Sequence, residues 1–211
     1  MEASTKEPSA AASRGKLDSD KARRIVAAMR DSIGRRGAAG STFDHVAQEA
    51  GVSRGLLHYY FGSKERLLAE VGRHDCDLRM EAMEQRLAGA DSVDAIIEVL
   101  VAQLEDFTHG EDGAAALIFE LFTASRHNAE LGAEMAELYR RVRSGVADAL
   151  RERERQGVVA LRADADSVAS VLLALGDGFA LQMLSEPDRD SSATLEAGKL
   201  TARFLLGEST R

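Results

Sequence analysis

Between Thr42 and Lys64 the chain gathers side chains suited to one kind of chemistry, the recognition of a polyanion and of the base edges it carries. Ser53, Arg54, His58, Tyr59 and Tyr60 fall within eight residues, and Lys64 follows shortly after. Arg54 offers a planar fork of N–H donors that matches guanine O6 and N7, the commonest specific contact to a base. Lys64 sits in the predicted first turn of a helix. A cation there opposes the macrodipole, at a cost of about a few tenths of a kcal/mol, unless it has an anion to hold, so a phosphate is its natural partner. Tyr59 and Tyr60 are adjacent, and on a helix they point about 100° apart, so one can face outward while the other turns partly inward.

Such groups need a rigid carrier. Thr42 is placed to cap a short helix carrying Phe43, Val46 and Ala47 on one side, and Gly51 stands where a left-handed C-cap residue ends it. Ser53 caps a second short helix on which Leu57 and Phe61 form an inward row, with Arg54, Leu56, His58, Tyr59 and Tyr60 left for the outer side. A helix of about seven residues is too short to be stable alone and has to be pinned by packing. The arrangement is a helix-turn-helix, whose second helix would lie in a DNA major groove. Upstream, Asp18 or Ser19 caps a first helix with Ala22, Ile25, Val26, Met29 and Ile33 at three- and four-residue steps to a stop at Gly37. Downstream, Ser63 caps a long fourth helix with Leu67, Val71, His74 and Leu78 in one row.

The pattern Thr42-Phe-x-x-Val46-Ala47-x-x-Ala50-Gly51-Val52-Ser53-Arg54-Gly55-x-Leu57-x-Tyr59-Tyr60-Phe61-x-Ser63-Lys64-Glu65-x-Leu67-Leu68 resembles the N-terminal domain of the tetracycline-repressor (TetR) family, over residues 18 to 70. The resemblance implies that Thr42, His58, Tyr60 and Lys64 hold phosphates and that Arg54, Leu56 and Tyr59 reach base edges, with Ser53 among the DNA-contacting positions. It also implies a variable helical C-terminal part that binds a small molecule and dimerises. Leu56 stands where that family often has a small hydroxyl residue, and His58 where it often has Tyr. Leu56 can touch a thymine methyl group but cannot hydrogen-bond a base.

The whole composition agrees with helices. In 211 residues there are two prolines and no Trp, and 45% are hydrophobic, enough for a substantial core. The expected fold is all-α: a disordered arm over 1–16, a three-helix DNA-binding domain over 17–63 and a larger helical regulatory and dimerisation domain over 64–211. Arg14 and Lys16 in the arm are candidates for backbone contact with DNA. The net charge of −8 looks adverse for a DNA binder until it is divided. Residues 14–75 hold 12 Lys and Arg against 8 Asp and Glu, whereas 76–211 hold 14 against 25. Only nearby positive potential attracts phosphate, because charges beyond a Debye length of roughly 8 Å are screened at physiological salt.

In the second part Val93, Ile96, Ile97, Leu100, Val101, Leu104 and Phe107 form the stripe of a fifth helix. Residues 113–125 are apolar on nearly every side and predict a helix buried all round, with Glu120 requiring a partner, a protein donor by preference or else a ligand. A long helix over 129–156 turns Arg140, Arg141 and Arg143 to solvent. The apolar run Val168–Leu184 is interrupted by Gly176-Asp177-Gly178 and reads as a buried helix of a soluble protein, with no membrane role and with Asp177 either a kink stabiliser, the preferred reading, or a pocket acid. Val171, Leu175, Phe179, Leu195, Leu200 and Phe204 on the last two helices are the expected homodimer interface. His74, Gln103, Phe107, Phe119, Phe122, Tyr139 and Met183 are the candidate lining of a small-molecule pocket for a largely apolar effector.

Enzyme readings lack parts: there is no Gly-rich phosphate loop, no nucleophile elbow, no His-Glu-x-x-His and no paired-carboxylate motif. The run His74-Asp75-Cys76-Asp77 fans around a helix instead of converging on a metal, and the reading calls for no cofactor. A single cysteine, Cys76, fits a reducing cytosol, and no secretory signal opens the chain. The expectation is a cytoplasmic, ligand-responsive regulator, most simply a repressor, that binds a palindromic operator in double-stranded DNA as a homodimer. The alternative is a helical adaptor or small-molecule carrier that keeps the helix-turn-helix only as scaffold.

Overall fold

The computed structural model describes residues 19–110 and 113–207, and all regular structure among them is helical. The arm with Arg14 and Lys16 lies outside the described residues. In order the helices are α1 (Asp20–Gly40), α2 (Phe43–Ala50), α3 (Arg54–Phe61), α4 (Lys64–Ala88), α5 (Val93–His109), α6 (Ala114–Ser125), α7 (Ala129–Arg155), α8 (Ala165–Ser185) and α9 (Ser192–Leu206). The chain divides into two compact units at Val71 and Gly72, so the division falls within α4 rather than at its start.

The first unit is held by a small core in which Ile25, Met29, Val46, Leu57 and Leu67 are fully buried. Ser19 caps α1 by accepting from the Ala22 N–H at 3.2 Å. Gly37 breaks the helical angles of α1 with φ 69 and ψ 165, where the sequence placed the stop, and the coil beyond it stays helical to Gly40. Buried Ser41 then donates to the Gly37 carbonyl at 2.8 Å, so this bend is hydrogen-bonded rather than loose.

In the second unit Leu87, Ile96, Leu150, Val168 and Leu206 belong to one buried cluster drawn from five helices. Buried Arg153 is a feature that sequence periodicity missed. It donates to the Ala88 carbonyl at 2.8 Å, satisfying the orphan end of α4. The Ala160 N–H donates to the Leu206 carbonyl at 3.0 Å and so ties the loop before α8 to the end of α9. A Cβ on Gly207 would lie 2.1 Å from the Ala160 oxygen, which is why the residue there has none.

Three expectations are corrected. α6 is not buried all round: Ala115, Leu117 and Leu121 face in, while Phe122 is 54% exposed. In a 12-residue helix the two sides cannot both reach the core when neighbours cover one of them. α8 is the one helix among the described residues long and apolar enough to cross a membrane, yet only 17% of its most apolar window is buried within the chain. It has two apolar faces, and the chain supplies neighbours for one. Of the arginine run on α7, Arg141 does not simply face solvent, since it donates to Asp77 of α4 at 2.6 Å.

Candidate nucleic-acid interface and ligand cavity

Thr42 caps α2, accepting from the His45 N–H at 3.3 Å, and is exposed. Gly51 ends α2 at φ 64 and ψ 41, a left-handed conformation that costs an L side chain about 1–2 kcal/mol and glycine little. The Val52 N–H returns to the Ala47 carbonyl at 3.0 Å, closing the turn between the two short helices. Three basic residues of α1 fix this turn. Arg24 donates to the Ala50 carbonyl at the end of α2, and Arg35 and Arg36 grip Glu49 at 2.7 and 2.6 Å.

On α3, Leu57 and Phe61 are buried as the spacing predicted, leaving one face to solvent. Ser53 is exposed and, although it stands at the N-cap, its hydroxyl makes no capping bond. Arg54 is exposed and ion-paired with Asp44 at 3.2 Å. Leu56 is half-buried. Tyr59 is 62% exposed, and its ring stands edge-on to half-buried Tyr60 with centroids 5.3 Å apart. His58 is exposed, with Nδ1 3.0 Å from the Gly62 carbonyl oxygen and its ring edge-on to Phe43. Lys64 donates to the Ala39 carbonyl at 3.1 Å, holding the end of α1. The outer face of α3 therefore presents an arginine, a tyrosine and a histidine from a backbone pinned on its other side.

The second unit contains a cavity of about 250 Å³ between α4, α5, α6, α7, α8 and α9. Its wall is mostly apolar, with Leu100, Leu104, Ile118 and Leu172 prominent. Of the proposed pocket residues, Gln103, Phe107 and Tyr139 line it. His74, Phe119, Phe122 and Met183 do not. His74 is exposed because the buried row of α4 runs Leu68, Val71, Gly72 and Asp75 instead of through positions 74 and 78.

Asp177 also lines the cavity, and α8 keeps helical angles through it, so it is a pocket acid and not a kink stabiliser. Tyr139 of α7 lines the cavity too and is the polar neighbour of Asp177. Burial pushes the Asp177 carboxyl above its usual range, against the opposing influence of the Tyr139 hydroxyl. Burial and the nearby carboxylate likewise raise the Tyr139 hydroxyl, which stays protonated. Cys76 borders the same space, and burial raises its thiol pKa, so it is a poor nucleophile there. Glu120 is half-buried and away from the cavity. No group of three His, Cys, Asp or Glu among the described residues could hold a metal.

The six expected interface residues divide. Leu175, Phe179 and Leu195 border the cavity, and the Phe179 ring lies where a Cβ on Gly198 would be 2.7 Å away. Val171, Leu200 and Phe204 are 43%, 53% and 52% exposed, and Leu181 and Leu184 of α8 join them on the surface.

Residues 25–71 match the model for bacterial regulatory proteins of the tetR family, and residues 90–206 match that for the C-terminal part of BetI-type transcriptional repressors. The chain is 28% identical over 193 residues to the HTH-type transcriptional regulator BetI of Brucella suis, covering 80% of this chain and 94% of that protein. A transcriptional regulator of Saccharomonospora viridis, solved in complex with choline, is 25% identical, with a TM-score of 0.67 over 86% of this chain and 93% of that one. The regulator FadR of Bacillus subtilis, solved in complex with stearoyl-CoA, shares the fold at 17% identity, with a TM-score of 0.68 over 89% of this chain and 99% of that one.

Proposed function

The chain belongs to the TetR family of bacterial regulatory proteins, and we propose that it is a ligand-responsive repressor that holds a palindromic operator as a homodimer and leaves it when a small molecule fills the cavity. The observation that carries this reading is the continuity of α4. The helix starts at Lys64, whose ammonium holds the end of α1, and then supplies Gly72, Asp75, Cys76, Arg79 and Met80 to the cavity wall. A ligand that favours one setting of α4 over another thereby biases the reading head. A differential affinity of about 1–3 kcal/mol between the two settings is enough for a useful response.

In this reading Arg54, Leu56 and Tyr59 meet base edges, and Thr42, Ser53, His58, Tyr60 and Lys64 meet phosphates. Arg54 exchanges Asp44 for DNA at small cost, since an exposed ion pair is worth at most about 1 kcal/mol, and Lys64 exchanges one exposed hydrogen bond to the Ala39 carbonyl. The exposed row of Val171, Leu181, Leu184, Leu200 and Phe204 is assigned to the twin copy rather than to lipid. Such a protein works beside the chromosome, in the cytoplasm.

The test is fluorescence anisotropy with a genomic fragment that the protein retains. Arg54→Ala should weaken binding by roughly 1–3 kcal/mol and relax sequence preference, and Lys64→Ala should weaken it for all sequences and lower the salt slope by about 1. If both variants stay folded and bind DNA as the parent does, the helix-turn-helix is only scaffold and the protein is a helical adaptor or carrier.

A further inference from the structure

The charges on the cavity wall are not evenly matched. Asp75 and Arg79 lie one helical turn apart on α4, so opposite charges stand on one element. The Lys199 ammonium is committed to Glu196 at 2.7 Å. Asp177 differs, because its polar neighbour in the cavity is the neutral hydroxyl of Tyr139 and no ion pair reaches it among the described residues. A carboxylate withdrawn from water toward apolar walls is costly unless a cation or several donors answer it.

There is room beside it for such an answer. Gly176 precedes Asp177 and lines the same cavity, and a Cβ built on it would meet nothing within 4 Å. Glycine inside a helix is less stabilising than alanine, and nothing within 4 Å of a Cβ at this position gives a reason for it. Phe107, Phe179 and Tyr139 add aromatic rings to the wall, surfaces that a cation tolerates better than aliphatic ones. Leu100, Leu104, Ile118 and Leu172 supply an aliphatic stretch of the same wall.

We propose that the effector is an amphiphile with a compact cationic head, seated against Asp177 in the space left open by Gly176, and an apolar body lying along Leu100, Leu104 and Leu172. This assignment rests on the ligand-responsive reading above and adds the charge of the ligand to it. Tyr139 is the positioning residue: its hydroxyl fixes one side of the carboxylate so that the other meets the head. Anionic amphiphiles are disfavoured because the same carboxylate repels them.

The experiment is calorimetric titration of the full-length protein with octylammonium, octanoate and octanol at neutral pH, which share a chain length and differ in head charge. Octylammonium should bind at least about tenfold more tightly than the other two. Asp177→Asn should remove that preference while leaving octanol affinity unchanged. Gly176→Ala adds a methyl group that the empty site accommodates; it should keep the fold and raise the melting temperature, yet weaken octylammonium several-fold. If octanol or octanoate binds as well as octylammonium, or if the cation preference survives Asp177→Asn, the head-group assignment is overturned while the cavity keeps its role. If none of the three binds, the assignment and the cavity's role fall together.

Discussion

Asp177 is placed where ionisation is unfavourable, and that has a consequence for stability separate from any ligand. Its carboxyl is raised by burial in the folded chain and has its ordinary value, 3.8, when unfolded. The folded state therefore binds the proton more readily, and stability rises as pH falls from neutral through the raised value toward the ordinary one. Asp177→Asn keeps an acceptor for the Tyr139 hydroxyl and removes the charge, so it should melt at a higher temperature than the parent at neutral pH. The difference should shrink as the solution is acidified. Thermal scans across that range check this, and a variant less stable than the parent at neutral pH would show that the carboxylate is answered by something other than Tyr139. A residue that lowers stability while lining a cavity is what selection for binding leaves behind. Nothing local in the sequence revealed it: Tyr139 and Asp177 are far apart in the chain, and an acid between two glycines reads as naturally as a bend.

At the level of elements, the reading head was legible because its signals are local. Thr42, Gly51, Leu57 and Phe61 each act within one or two turns, and the structure uses the glycine and the two apolar residues as their spacing implied. What locks α2 to α1 was not legible, since Glu49 meets Arg35 and Arg36 only after the chain has folded back. Hydrogen bonding to Arg36 foremost holds the Glu49 carboxyl below its usual value of 4.5; burial opposes it, and hydrogen bonding to Arg35 adds to the lowering. A carboxyl lowered in the folded state stabilises fully above its unfolded pKa, and that contribution is lost as pH falls through the folded value. Glu49→Gln should thus cost about 0.5–1 kcal/mol at neutral pH, as befits a largely solvated network, and nothing once the parent's Glu49 is protonated. Hydrogen exchange at the amides of α2, compared at neutral and acid pH, separates this from a general loss of stability. The long helices were harder to read. α4 carries charge on most of its surface, so a row through His74 looked as plausible as the buried row through Asp75, and only packing distinguishes them. Arg153 drew no notice in the sequence because its partner, the end of α4, lies outside its own periodicity.

For the whole molecule, the unfinished surface is the strongest argument for a second copy. Five large apolar side chains on α8 and α9 are 40% or more exposed, although both helices also contribute to the buried cluster of the same unit. Such a row is costly in water and closes on itself when a two-fold axis sets α8 and α9 against their equivalents. Of the six residues that the sequence placed at the interface, Leu175, Phe179 and Leu195 border the cavity, and Val171, Leu200 and Phe204 are exposed. Cavity wall and exposed apolar row thus lie on different faces of one helix pair. Phe204→Glu places a charge in the centre of the expected contact, on an exposed position that the fold of one chain does not require. It should leave the helical content and the melting of the monomer nearly unchanged while shifting the mass measured by light scattering from two chains to one. Operator affinity should fall by more than about tenfold, because two heads roughly 34–36 Å apart no longer bind as a unit. The cavity should still take its ligand. A variant that remains two chains in solution, or a monomer that keeps full operator affinity, would place the pairing surface elsewhere and leave the exposed row of α8 and α9 to be explained by another partner.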